Sequence, residues 1–223
     1  MEKINRFMNI LKKLKVLKKD KKIIIGSLVC GIFITMFVSG SAYAKKVSDD
    51  ISGSVIRFHV LANSDEEYDQ QLKLSVRDEI LKSISKDMNE CTDREDAEAY
   101  LESHTDEITA IAKKVIAEKG YDYEVCTTLS TEHYPVRYYE NAVFPEGNYE
   151  SLRVIIGSGE GHNWWCVMYP PLCLNGEAVG YEDDNMLKEV LSDESYEVVV
   201  LSEDNAVPKM KFKVVELWAS INN

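Results

Sequence analysis

The chain has 223 residues and a net charge of −12, from 26 Lys and Arg against 38 Asp and Glu. Its first 44 residues carry nine positive and two negative charges, so the remainder stands at −19. That sign repels phosphate and excludes nucleic acid as a partner, while the 179 residues after position 44 suffice for one core and one domain.

Residues 1–22 form a basic n-region, followed at once by an uncharged run from Ile23 to Ala44. A small-residue site, Ala42-Tyr43-Ala44, closes that run, which is the order of a secretory signal cleaved before Lys45. The competing expectation is an uncleaved anchor, because about 20 apolar residues span a bilayer. In both, the positive flank stays inside and the body is exported. Residues 45–54 read as a linker and 55–218 as a single exported domain.

Val55 to Ala62 alternates as a strand. Ser64 and Glu67 then stand at capping-box spacing before a helix marked by Leu72, Val76, Ile80, Ile84 and Met88. Thr92 and Glu95 offer a second box, opening one long or kinked helical region that ends at Gly120. Tyr123 to Leu129 alternates as a strand, and an irregular Tyr-rich connection through Tyr149 follows. Leu152 to Ile156 and Asn163 to Tyr169 are predicted strands, joined as a hairpin by the glycine loop Gly157 to Gly161. A helix capped by Asp183 or Asp184 and reaching about Leu201 is expected next, with Tyr196 to Val200 also readable as strand. Lys209 to Leu217 ends the pattern as a strand or short helix. The fold class is α+β, a small mainly antiparallel sheet packed against two or three helices behind the N-terminal signal or anchor.

Chemistry concentrates in Gly157 to Cys173, which holds two of three tryptophans, two of five prolines and two of five cysteines. Gly157-x-Gly159-x-Gly161 is no dinucleotide loop, since His162 stands where a third-spaced glycine is needed and no helix follows. His162, Cys166, Cys173 and His59 are soft zinc ligands, but their spacing matches no standard finger. A Cys166 nucleophile with His59 and Asn63 lacks a recognisable signature. Cys166 and Cys173 either form a disulfide or remain buried thiols. Trp164 and Trp165, adjacent in a strand, point to opposite faces. His59 reads as a hydrogen-bonded structural residue, and Arg57 and Arg77 either pair with acids or present a small basic spot.

Three stretches carry a resemblance: Ile56-Arg57-Phe58-His59-Val60-Leu61-Ala62-Asn63-Ser64-Asp65 with Asp69-Gln70, Lys73 and Val76-Arg77-Asp78; Leu152 to Gly157; and Gly161-His162-Asn163-Trp164-Trp165-Cys166 through Tyr169-Pro170-Pro171-Leu172-Cys173. They resemble the stage II sporulation protein R family from about Val55 to Cys173, with a weaker tail to Trp218. Glu146 and Tyr138-Tyr139-Glu140 depart from the family pattern, which makes 134–149 the least transferable part.

The resemblance implies a forespore-made signal of endospore formation, exported into the space between forespore and mother-cell membranes. There it would trigger a membrane-embedded aspartic protease, stage II sporulation protein GA, which matures pro-sigma-E. It implies a ligand and not an enzyme, with no catalytic residues, metal or cofactor. Membrane contact would run through residues 23–44 before or without cleavage. The candidate partner-binding residues are Arg57, His59, Asn63, Ser64, Asp65, Asp69, Gln70, Lys73, Arg77, Asp78, Asn163, Trp164, Trp165, Pro170 and Pro171. The alternative is an exported hydrolase with a Cys/His or zinc site around Cys166 and His162.

Overall fold

The computed structural model describes residues 2–139, 142–172 and 185–200. Two compact units divide the chain, Met1–Ala44 and Lys45–Asn223. The first belongs to helix α1, Glu2–Ser54. Its apolar stretch, with a mean hydropathy of 1.8, makes α1 the one helix among the described residues long and apolar enough to cross a membrane.

The second unit opens with the end of α1, so residues 45–54 are helical where a linker was expected. Two forces order them. Val47 and Ile51 are buried, and the Asp50 carboxylate accepts from the Ser192 backbone N–H (3.2 Å) and hydroxyl (2.7 Å).

Strand β1 (Ile56–Leu61) leads into helix α2 (Glu67–Glu90), then α3 (Arg94–Ser103) and α4 (Thr105–Glu118). Leu72, Val76, Ile80, Ile84 and Met88 of α2 are buried as their four-residue spacing predicts. They pack with Ala97 and Leu101 of α3 and with Ile108, Ala112, Val115 and Ile116 of α4. The expected capping boxes do not form. Ser64, three residues ahead of the helix, accepts from the Glu66 N–H (3.2 Å), and the cap of α3 is Asp93, which accepts from the Asp96 N–H (2.8 Å). The long helical region is two helices, because His104 leaves helical geometry (φ −108°, ψ 9°). Hydroxyls of Ser103 and Thr105 donate to the Tyr100 and Leu101 carbonyls beside that break. Gly120 ends the run with φ +82°, as a glycine past a C-terminus does.

Strand β2 (Val125–Tyr134) runs five residues beyond the predicted end. β3 (Arg137–Tyr138), β4 (Val143–Phe144), β5 (Gly147–Ile156) and β6 (Asn163–Tyr169) follow. The main sheet has the order β2-β5-β1-β6, and β3 and β4 pair separately. β1 is parallel to β5 and antiparallel to β6, while β2 and β5 are antiparallel. The expected β5–β6 hairpin is therefore absent: β1 lies between the two strands. All six β1 residues are buried, as suits a central strand covered on both faces. Ile56, Phe58, Val60, Leu152, Val154, Ile156, Cys166 and Met168 face the helices and complete the core.

Two short helices, α5 (Asn185–Val190) and α6 (Asp193–Val199), replace one C-terminal helix. Ser192 caps α6 by accepting from the Ser195 N–H. The expected caps at 183–184 and the element at 209–217 lie outside the described residues.

Candidate functional site

The chain leaves β1 at Ala62, and the Asn63 and Asp65 side chains with nearby backbone tie it to the glycine loop and His162, 95 or more positions later in the sequence. Asn63 Oδ1 accepts from the Ser158 N–H (3.0 Å), and the Ser158 hydroxyl donates to the Asn63 carbonyl (2.6 Å). Gly161 N–H donates to the Ala62 carbonyl (3.0 Å). Asp65 accepts from the His162 N–H (2.6 Å) and from the His162 ring. The loop passes so close that a Cβ on Gly157 would sit 2.2 Å from Asn63 Oδ1, and one on Gly161 2.2 Å from the Ser64 carbonyl oxygen.

The first turn of α2 closes the knot from beneath. Asp69 is buried, and its Oδ2 accepts from Asn63 Nδ2 (2.9 Å) and the Ser64 hydroxyl (2.6 Å). Burial pushes the Asp69 carboxyl up, but hydrogen bonds from Ser64, Asn63 and Tyr123 outweigh it and hold the group below its ordinary value. Gln70 donates to the Ser64 carbonyl (2.9 Å). The buried Lys73 ammonium donates to Gln70 Oε1 (2.6 Å) and the His162 carbonyl (2.8 Å). Burial and the neighbouring Arg77 charge lower its pKa, against Asp65, which raises it. The structure thus joins Asn63, Ser64, Asp65, Asp69, Gln70 and Lys73 with Ser158, Gly161 and His162 in one hydrogen-bonded body, with Gly157 packed against Asn63.

The remaining candidates divide between the two faces of the sheet. On the helix side, Trp164 meets Phe58 edge-on at 5.7 Å, with the Arg77 guanidinium 4.8 Å over its ring. Arg77 also pairs with exposed Asp78 (Nε to Oδ1, 2.7 Å). Cys166 is fully buried there, opposite Phe58. Trp165 points to the other face, where it stacks on His59 at 3.6 Å. Asn163 is exposed at the strand start, Pro170 is buried after a cis peptide bond, and Pro171 is half-buried. Ala42 and Ala44 lie within α1, and Cys173 lies outside the described residues.

Arg57 corrects the sequence reading most sharply. It neither pairs with an acid nor reaches the surface. Fully buried, it donates to the Cys166 carbonyl (3.1 Å) and the Tyr139 hydroxyl (2.8 Å). The rings of Tyr134, Phe144, Tyr149 and Tyr139 surround its guanidinium at 4.5–5.9 Å. Beside it, His59 Nδ1 lies 3.2 Å from Glu132 Oε2, and Glu132 Oε1 lies 3.0 Å from Arg153 Nη1. Burial raises the Glu132 carboxyl, but hydrogen bonding and charge from His59, with Arg153, bring it below its ordinary value. Tyr134 and Ser151 share a buried hydrogen bond of 2.7 Å. Glu132, Tyr134, Arg137, Tyr139, Tyr149, Ser151 and Arg153 were not among the candidate binding residues. The signal was the period-2 alternation continuing from Ser130 through Glu132 to Tyr134.

Cys166, buried in the core, and His162, exposed on the loop, are not brought together as a nucleophile and base. Among the described residues no three His, Cys, Asp or Glu side chains are grouped to hold a metal ion.

Fold and site together define an α+β domain behind an apolar N-terminal helix, with its polar cluster spent on holding two distant chain segments in one body. The family model for stage II sporulation protein R matches residues 52–178, and the chain belongs to that family. It is 39% identical over 138 residues to stage II sporulation protein R of Bacillus subtilis (strain 168), across 60% of this chain and 62% of that protein. The chain thus matches a little under two thirds of the relative's length. No solved structure matches.

Proposed function

We propose that this protein is an exported intercompartmental signal of endospore formation. In this reading it activates the membrane-embedded aspartic protease, stage II sporulation protein GA, that processes pro-sigma-E in the mother cell. Family membership carries the reading. Two features support it: α1 provides an export or anchoring segment, and the residues behind the resemblance are engaged with one another, which suits a preformed binding body. A ligand switches its receptor only through tighter binding to the active state. Moving a protease from 1:99 to 99:1 active needs roughly 10⁴-fold preference, so the contact must reach parts of the protease that move or dimerise.

Disulfide formation belongs to the same reading. Cys30, Cys91 and Cys126 are free thiols, Cys166 is buried, and Cys173 remains as its natural partner in an oxidising exterior. The test is co-expression of residues 1–223 with the protease and pro-sigma-E in a non-sporulating host, with and without residues 1–44. Processing that requires the export segment is the expected result. No processing in a host that exports the protein stably would overturn the reading.

A further inference from the structure

The second face of the sheet carries more positive charge than it neutralises. Arg153, His59 and Trp165 are register partners across β5, β1 and β6, with the Arg137 guanidinium 4.7 Å over the Trp165 ring. Arg57 lies one cross-strand row below. Of these three guanidinium groups only Arg153 has an ion-pair partner among the described residues, Glu132, in a chain whose net charge is −12. Arg57 Nη1, Arg137 Nε and Arg153 Nε are buried without hydrogen-bond partners. Donors on a buried cation are costly to leave unmet. Burial, with the neighbouring Arg57 charge, also lowers the Arg137 pKa against Tyr139 and Tyr134.

The row is half open. Tyr139 and Phe144 cover Arg57, but Arg137 and Trp165 are half-buried, Thr128 and Ser130 on the neighbouring strand are exposed, and the Arg153 side chain is 36% exposed. Arg153 and Trp165 stand two strands apart, roughly 10 Å. That is the span of three residues of extended chain at about 3.3 Å each.

We propose that this row is the contact for an acidic segment of a partner protein, laid across the strands with one carboxylate at Arg153 and another at Arg137. The stacked His59 and Trp165 rings, with Arg137 over Trp165, form the floor of the row. Carboxylates match guanidinium forks in two-point geometry, and the local excess of positive charge selects them against an otherwise negative surface. The proposal rests on the activator reading and assigns the receptor-facing surface within it.

The probe is N-acetyl-tetraglutamate amide, titrated against the full chain in non-ionic detergent micelles and followed by tryptophan emission. A saturable change is expected, absent with tetraglutamine and lost as a signal in Trp165→Phe. It should weaken about tenfold or more in the double variant Arg137→Gln/Arg153→Gln. If that double variant melts early, Arg153→Gln alone, at a half-open position, carries the same test. No saturable change, or an equal one in the variants, overturns the site. So does arginine-dependent capture by phosphatidylglycerol vesicles without a peptide response, which would make the row a lipid contact. In the processing assay, a folded double variant that triggers as well as the native chain removes the site and leaves the activator reading. A native chain that binds the peptide yet triggers nothing removes the activator reading and leaves the site.

Discussion

Gly157 adopts φ +60°, and any side chain there would collide with Asn63. Left-handed backbone costs a non-glycine residue about 1–2 kcal/mol before the collision is counted. Gly157→Ala should therefore destabilise the protein by more than about 1 kcal/mol. Gly161→Ala, which meets backbone instead of a movable side chain, should be worse, and thermal unfolding of the two variants gives the order. Asp69 makes the second residue-scale prediction. Its folded pKa lies below the ordinary 3.8, so its contribution is present above that value and is lost as pH falls through the lower folded one. Melting temperature measured from pH 7 downward should drop more steeply below about pH 4 in the native chain than in Asp69→Asn. The variant should also lose about 2 kcal/mol at neutral pH, the worth of hydrogen bonds to a charged acceptor. Parallel pH curves would remove Asp69 as the anchor of the knot.

At the scale of elements, beside Arg137 over Trp165, Arg57 is one of the links that hold the β3–β4 ribbon to the sheet. Nη2 reaches the Tyr139 hydroxyl, and the guanidinium plane meets Phe144 and Tyr139. A lysine keeps the charge but neither the fork nor the flat face. Arg57→Lys should leave the helices protected while amide exchange at residues 137–144 rises several-fold, and uniform acceleration would mean a general loss of stability. This ribbon was the part least legible in the sequence. The four-residue spacing of α2 could be read because it buries one face along its own length, and β1 and β6 could be read from their β-branched and aromatic content. Strand order could not: the parallel β1–β5 pairing depends on residues about 95 positions apart, and a glycine loop between two strands signals a hairpin unless a third strand separates them. Likewise, Asn63, Asp69 and His162 were visible as members of two blocks, but their joining is tertiary. The β2 residues Glu132 and Tyr134 lay beyond the predicted strand end at Leu129, because what orders them, His59 and Arg57, is on β1.

At the scale of the whole molecule, the sidedness of charge and the exposure of thiols combine into one experiment. Nine basic residues precede the apolar stretch, and positive flanks stay on the cytoplasmic side, so the prediction is that the body from Lys45 onward is outside. Cys126 on β2 is a free, exposed thiol in that body. Cys30 lies within the apolar stretch, Cys91 is half-buried, and burial with surrounding acids raises its pKa, which slows thiolate chemistry. A membrane-impermeant maleimide added to intact protoplasts of an exporting host should therefore label the chain mainly at Cys126, and Cys126→Ser should remove most of the label. Labelling that appears only after lysis would place the body inside and reverse the orientation that its charge dictates. A mature species beginning at Lys45 among the labelled molecules would establish cleavage after Ala44, whereas label confined to full-length, membrane-bound chain would establish an anchor; the maleimide reaction separates those two outcomes because it marks only molecules whose body has crossed.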